Sequence, residues 1–267
     1  MAEELIEELD ADGVLHLTLN RPQNKNAMNQ AMLDALLAAI GRAAADPAVR
    51  CVLLTGAGGS FCVGGDVKAF AASGGAGGAG QSFEHRVASL RGRMEAARLL
   101  HEMPKPTVAA IEGAAAGAGL SLAMACDLRI AGATAKITTA FAKVGLSGDF
   151  GGTFFLTKLV GAGKARELYL TSPVLSGEQA AAIGLVTRAV PDAEVAREGL
   201  ALARSLAQGP TITLGYIKKN LLLAEDAPLE TVFDAEAMHH SRCAETDDHK
   251  EAARAFVEKR PPVFKGR

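Results

Sequence analysis

Ile111-Glu112-Gly113-Ala114-Ala115-Ala116-Gly117-Ala118-Gly119-Leu120-Ser121-Leu122 is the most telling segment of this 267-residue chain. It is a run of tiny residues that opens into a helical pattern. Such a run keeps side chains away from the first backbone N–H groups of a helix, which have no intrahelical acceptor and sit at its positive end. A bare helix start of this kind can hold an anion, or an oxygen that becomes anionic during a reaction.

Working outward, Thr107–Ile111 reads as the strand that feeds this turn, and residues 127–131 as the next strand after the helix. Upstream, Val14–Leu19 alternates as a strand, and Asn29 is placed to cap a helix with Met32, Leu33, Leu36, Leu37 and Ile40 on one face. Val49–Thr55 is a short apolar run closed by Gly56-Ala57-Gly58-Gly59, as expected of a buried strand. Residues 72–80, nearly all Gly, Ala and Ser, read as a mobile loop, and 82–102 as one amphipathic helix ended by Pro104. The alternation predicts an α/β layer with a largely parallel sheet. After Gly151 strand signals become scarce, apart from residues 185–190, and helical periodicity dominates from 193 to 258. The reading is an α/β core over residues 1–194 and a helical region over 195–267.

Bulk properties narrow the function. Apolar residues make up 49%, enough for a substantial core, and the formal charge of −2 gives no general attraction to nucleic acid or anionic membranes. No apolar run reaches the ~20 residues that span a bilayer. The acidic start MAEELIEELD is unlike a signal peptide. Cys51, Cys62, Cys126 and Cys243 form no CxxC pair and read as reduced thiols of a cytoplasmic protein. Without Trp, the chain has little to stack on bases.

Several motifs fail on inspection. Gly117-Ala118-Gly119 would need a glycine at 122 to be a dinucleotide fingerprint, and Leu122 stands there; Gly163-Lys164 is followed by Ala165, so no P-loop exists. There is no G-x-S-x-G elbow. His239 and His240 would lie on different helix faces, and no Cys/His set has zinc spacing, so no metal is expected.

Four segments taken in order resemble the enoyl-CoA hydratase/isomerase (crotonase) family. They are Leu19-Asn20-Arg21-Pro22 with Asn26-Ala27-Met28-Asn29; Phe61-Cys62-Val63-Gly64-Gly65-Asp66-Val67-Lys68; the Gly113–Gly119 run with residues 125–131; and Gly151-Gly152-Thr153. The resemblance implies an α/β fold, a spiral of βαβ units with a C-terminal helical trimerisation region, assembled as a homotrimer or dimer of trimers. It implies an acyl-CoA thioester as substrate, with no further cofactor. By position it implies that the backbone N–H groups of Gly65 and Ala118 hold the thioester oxygen, with Gly64 and Gly117 small enough to let it approach. Ala27, Val63, Asp66, Ser121 and Phe141 are implied to line the substrate path. Lys25 and Lys68 stand where phosphate or ribose contacts are expected, although two solvated lysines would look the same. Phe264 and Lys265 resemble a C-terminal tail that approaches CoA, sometimes that of a neighbouring subunit.

The hydratases of this family use two glutamates, and the matching positions here are Ser121 and Phe141, neither of which is an acid or base near neutral pH. The carboxylate that remains is Asp149, in Leu146-Ser147-Gly148-Asp149-Phe150-Gly151-Gly152. Isomerase branches of the family, the ring-epoxide isomerases and some dienoyl-CoA isomerases, carry Asp at this place. Phe141 and Phe150 beside it would desolvate the carboxyl and raise its pKa, as a proton shuttle needs. Asp149 could instead cap the helix that starts near Gly151. The expectation is an acyl-CoA isomerase with Asp149 as catalytic residue; the alternatives are a hydratase with a non-standard acid and an acyl-CoA binding protein without turnover.

Overall fold

A computed structural model describes residues 3–66 and 80–267. One six-stranded sheet organises them, built from β1 (Leu5–Leu9), β2 (Val14–Leu19), β3 (Cys51–Gly56), β4 (Thr107–Ile111), β6 (Leu128–Gly132) and β8 (Arg188–Val190) in that spatial order. Only the β1–β2 hairpin is antiparallel; every later pairing is parallel. A second, two-stranded parallel sheet pairs β5 (Ala114–Ala116) with β7 (Lys136–Thr138). The mixed α/β class and the parallel sheet expected from the sequence are therefore present.

Parallel strands need crossovers, and these are helices that cover the sheet. Helix α1 (Gln30–Ala45) buries Met32, Leu36, Ala39 and Ile40 at three- and four-residue spacing, and Asn29 caps it by accepting from Met32 N at 3.0 Å. Residues 82–102 form two helices, α2 (Phe83–Arg93) and α3 (Glu95–Glu102), where the sequence suggested one. The chain passes through Met94 with a tightened turn, just after Gly92, a poor helix former. Every residue of α4 (Ala118–Ala125) is buried, so this helix is part of the core. Buried Arg129 closes its far end, donating to the carbonyls of Met124 and Cys126 and to Leu185 O. A cation there complements the helix dipole that begins at Ala118.

The chain continues through α5 (Gly152–Thr171) and α6 (Gly177–Ala182) to α7 (Val195–Ala207). Helix α7 lies on the sheet: Val195, Ala203 and Ala207 join Leu53, Val108 and Ala110 in one apolar cluster, and an added Cβ on Gly199 would stand 2.7 Å from that of Ala110. The chain then turns at Gly209–Pro210 into α8 (Thr211–Ala224), α9 (Leu229–Ala244) and α10 (Asp247–Glu258). These helices bury few residues and leave Leu221, Leu229, Phe233, Met238 and Phe256 exposed.

Candidate active site

The site forms where the loop after β3 meets the start of α4. Cys62 pairs with Ala115: Cys62 N donates to Ala114 O at 3.0 Å, and Ala116 N to Cys62 O at 2.9 Å. Gly64, at φ +91°, suits glycine, because that backbone strains any side chain and a Cβ would lie tightly at 3.0 Å from Ala116 O and 3.3 Å from Ala118 N. Residues 64–66 also bridge to Met28, whose N–H donates to Gly64 O at 2.8 Å while its carbonyl accepts from Asp66 N at 3.3 Å. In such a parallel bridge the N–H of the middle residue, Gly65, points away from the partner. Ala118 is the first residue of α4, so its N–H has no acceptor within the helix. Among the described residues neither amide donates to a backbone carbonyl. Two uncommitted backbone donors thus belong to segments that touch at Gly64.

The Gly117–Ala118 peptide is held from its other side. Gly117 adopts φ +53°, its N–H donates to Thr138 O at 3.2 Å, and its carbonyl accepts from both Ser121 N at 3.0 Å and Ser121 Oγ at 3.3 Å. Two donors on this carbonyl polarise the peptide and fix the direction of the Ala118 N–H.

Asp149 sits in a loop with left-handed backbone at Phe150 (φ +48°) and Gly151 (φ +72°), and with Gly148 at φ +120°. Its backbone carbonyl accepts from Gly152 N at 3.0 Å, but α5 has no side-chain cap, so Asp149 does not serve as the cap that its position allowed. Its Oδ1 is buried and has no hydrogen-bond partner. Burial pushes its pKa up to about 6, within reach of neutral pH. Ser121 is fully buried and Phe141 nearly so.

Tyr169 of α5 also belongs to this cluster. Its ring stacks on Phe141 with centroids 5.9 Å apart and planes 5° from parallel. Its hydroxyl oxygen is buried without a hydrogen bond of good geometry, and burial with the nearby Asp149 charge pushes its pKa up to about 12. In the sequence, a tyrosine at helical spacing with Ala165 and Leu168 reads as core. Its rarity was the available signal, since the chain has two tyrosines. Phe150 and Gly151, next to Asp149 in sequence, line a cavity of about 410 Å³ with Met94, His101, Phe154 and Phe155.

The other residues singled out from the sequence scatter. Ala27 is buried and its carbonyl accepts from Arg21; Val63 N donates to Lys25 O at 3.2 Å, and the Lys25 side chain is exposed. Asp66 Oδ2 accepts from Arg21 Nη2 at 3.2 Å, which ties the first motif to the second. Lys68 lies outside the described residues. Phe264 and Lys265 are not brought to Asp149 within this chain: Phe264 O faces Arg50 at the start of β3, and Lys265 N donates to Asp248. That is the end of β3 opposite Gly65, because the tail docks on α10 and follows it. Among the described residues no group of three or more His, Cys, Asp or Glu side chains could hold a metal, and no helix is long and apolar enough to cross a membrane. His239 instead packs on Tyr216 with ring centroids 4.5 Å apart.

Backbone amides without a carbonyl acceptor can polarise a carbonyl, and a carboxyl with a sheltered oxygen can move a proton, so these parts on an α/β core suit an enzyme. Known proteins agree: the family model for enoyl-CoA hydratase/isomerase matches residues 10–267, and this chain belongs to that family. It is 38% identical over 257 residues to 1,2-epoxyphenylacetyl-CoA isomerase of Escherichia coli (strain K12), covering 96% of each chain. It is 36% identical over 257 residues to crotonyl-CoA hydratase of Syntrophomonas wolfei, covering 93% of each. The crystal structure of an enoyl-CoA hydratase from Polaromonas sp. JS666 superposes with a TM-score of 0.90 at 30% identity, over 98% of this chain and 99% of that one.

Proposed function

We propose that this enzyme is an acyl-CoA isomerase that shifts a double bond or rearranges a ring through a thioester enolate. The observation that carries the reading is Asp149, a half-buried carboxyl with one sheltered, unpartnered oxygen and a pKa of about 6, while Ser121 and Phe141 cannot move protons. Gly65 and Ala118 N–H donate to the thioester oxygen and stabilise the negative charge that develops there, each donor contributing about 3 kcal/mol. Ionised Asp149 takes a proton from carbon beside the carbonyl or along its conjugated chain. The electron pair moves onto the thioester oxygen as the enolate forms. Neutral Asp149 then returns the proton at another carbon, and the carbonyl re-forms with the double bond displaced. One base serves both steps, because the enolate stays held between them.

Asp149→Asn tests this against 3-enoyl-, dienoyl- and ring-bearing CoA thioesters, with exchange of the substrate's acidic protons into deuterated water followed by NMR. Loss of isomerisation and exchange with CoA binding retained supports the reading; unchanged turnover rejects it. The crotonyl-CoA hydratase relative keeps hydration as the second reading. Hydration of crotonyl-CoA that depends on Asp149 and outpaces every isomerisation would select it. The homotrimer or trimer pair, and an approach of Phe264 and Lys265 to a neighbour's CoA, belong to the same reading. The exposed Leu229, Phe233, Met238 and Phe256 support it as apolar surface on the last two helices.

A further inference from the structure

Tyr169 has no role in the chemistry above, yet its surroundings are built around its hydroxyl. The two glycines that bracket Asp149 both face it. A Cβ on Gly148 would stand 3.1 Å from Tyr169 Cε1, and one on Gly152 would stand 2.3 Å from the Tyr169 hydroxyl oxygen. The same point on Gly152 is 2.4 Å from Ser121 Oγ, so both hydroxyls converge on the space that a side chain at 152 would fill. Ser121 Oγ gives its proton to Gly117 O, which leaves its lone pairs to accept from Tyr169. On the other side, Asp149 Oδ1 is a buried acceptor without a donor, and the Tyr169 hydroxyl is a buried donor without a well-aligned acceptor. Unpaired buried polar groups are rare and costly, and these two are complementary.

We propose that Tyr169 is a positioning residue whose O–H donates to Asp149 when that carboxyl is ionised and turns to Ser121 Oγ when it is protonated. This inference rests on the reading of Asp149 as the base. Tyr169 then joins the two halves of the site. Through Ser121 it supports the Gly117 carbonyl and so the Ala118 N–H, and through its own proton it stabilises the charged base. It keeps its proton throughout, since its own pKa lies well above that of Asp149. Other groups do not compete for the part. Lys143, in the turn before the loop, is exposed; Arg91, Arg98, Glu102, Glu225 and Asp226 lie around the cavity beyond Phe150 and Gly151; the Asp149 shift comes from burial alone.

The test is Tyr169→Phe, which keeps the ring stacked on Phe141 and removes the oxygen. The titration of Asp149 is read in the free protein by carboxylate infrared or ¹³C NMR difference against Asp149→Asn. Loss of a donor to the charged form raises the midpoint by about one pH unit relative to the native protein, a tenfold change in the ionisation constant. The acidic limb of kcat/KM moves by the same amount, and kcat below pH 6 falls about tenfold while KM changes little. Ser121→Ala leaves Asp149 as the acceptor that remains for the phenol, so its midpoint moves down; this arm stands if Tyr169→Phe folds poorly. A midpoint unmoved in a folded Tyr169→Phe, or moved upward in Ser121→Ala, overturns the proposal. Because the titration needs no turnover, it separates this outcome from a failure of the isomerase reading, which Asp149→Asn with unchanged turnover would show.

Discussion

Gly119 lies so close to Cys62 that an added Cβ would stand 2.3 Å from the Cys62 carbonyl oxygen and 2.7 Å from its Cβ. The loop after β3 and the first turn of α4 are therefore in backbone contact, and nothing but glycine fits between them. Gly65 and Ala118 belong to the two segments that this contact holds together.

Gly119→Ala should force the two segments apart. Turnover is expected to fall at least 100-fold, as for loss of an oxyanion donor, with a clear drop in melting temperature. Gly41→Ala on the exposed face of helix α1, where a methyl meets nothing within 4 Å, is the control and should be neutral or stabilising by up to about 1 kcal/mol. Steady-state rates and thermal melts of both variants check the pair.

Asp149 should lower stability at neutral pH. Its folded pKa, about 6, lies above the ordinary 3.8, so the folded state holds the proton more tightly. The stabilisation is complete below about pH 3.8 and is lost as pH rises through 6. Asp149→Asn should therefore exceed the native protein in stability by up to about 3 kcal/mol above pH 7, and the gap should close toward pH 4. Urea unfolding at both ends of the range measures it.

The same value fixes a rate profile. If ionised Asp149 removes the proton, kcat/KM climbs with pH and levels off above a midpoint near 6. A flat profile from pH 5 to 8 would contradict the assignment.

Lys218 of α8 is buried and donates to Leu100 O at 3.0 Å, Lys105 O at 3.2 Å and Asp127 Oδ2 at 2.9 Å. Asp127 Oδ2 also accepts from Thr107 N and Oγ1. Lys218→Met removes one partner of this pair and the donor to two carbonyls. A loss of about 3 kcal/mol is expected, with faster proteolysis at the 209–211 turn as α8 loosens from the core.

The elements that the sequence displayed best are those whose burial is one-sided or complete. Met32, Leu36 and Ile40 announce α1, and the apolar runs of β3 and β4 announce central parallel strands. Strand β1, Leu5–Leu9, was hidden because Glu7 and Glu8 dominate its composition; as an edge strand it needs to bury little more than Leu5. Strand β5 was hidden inside the Gly/Ala run, since Ala114, Ala115 and Ala116 carry no strand signal and pair because β7 and Cys62 lie alongside. The helical region read from residue 195 onward begins with α7, and α7 packs on the sheet because its small residues Gly199 and Ala203 face Ala110 and its neighbours. At the site, Gly64, Gly117 and Asp149 stood out through the family resemblance, because small turn residues and a single carboxyl have a bland reading of their own. Tyr169 was not, because its meaning comes from meeting Gly148 and Gly152 across a turn.

Cys51, Cys62 and Cys126 are enclosed among apolar neighbours, and burial lifts their thiols far above the usual range, with Cys62 and Cys126 pushed up to about 12. Thiolates are the reactive form, so these three resist alkylation and peroxide in the native state. Cys243, on α9 and only partly covered, offers maleimide dyes a chemically distinct handle. A single fluorophore there, with no background from the interior, would report when copies of the chain meet or part.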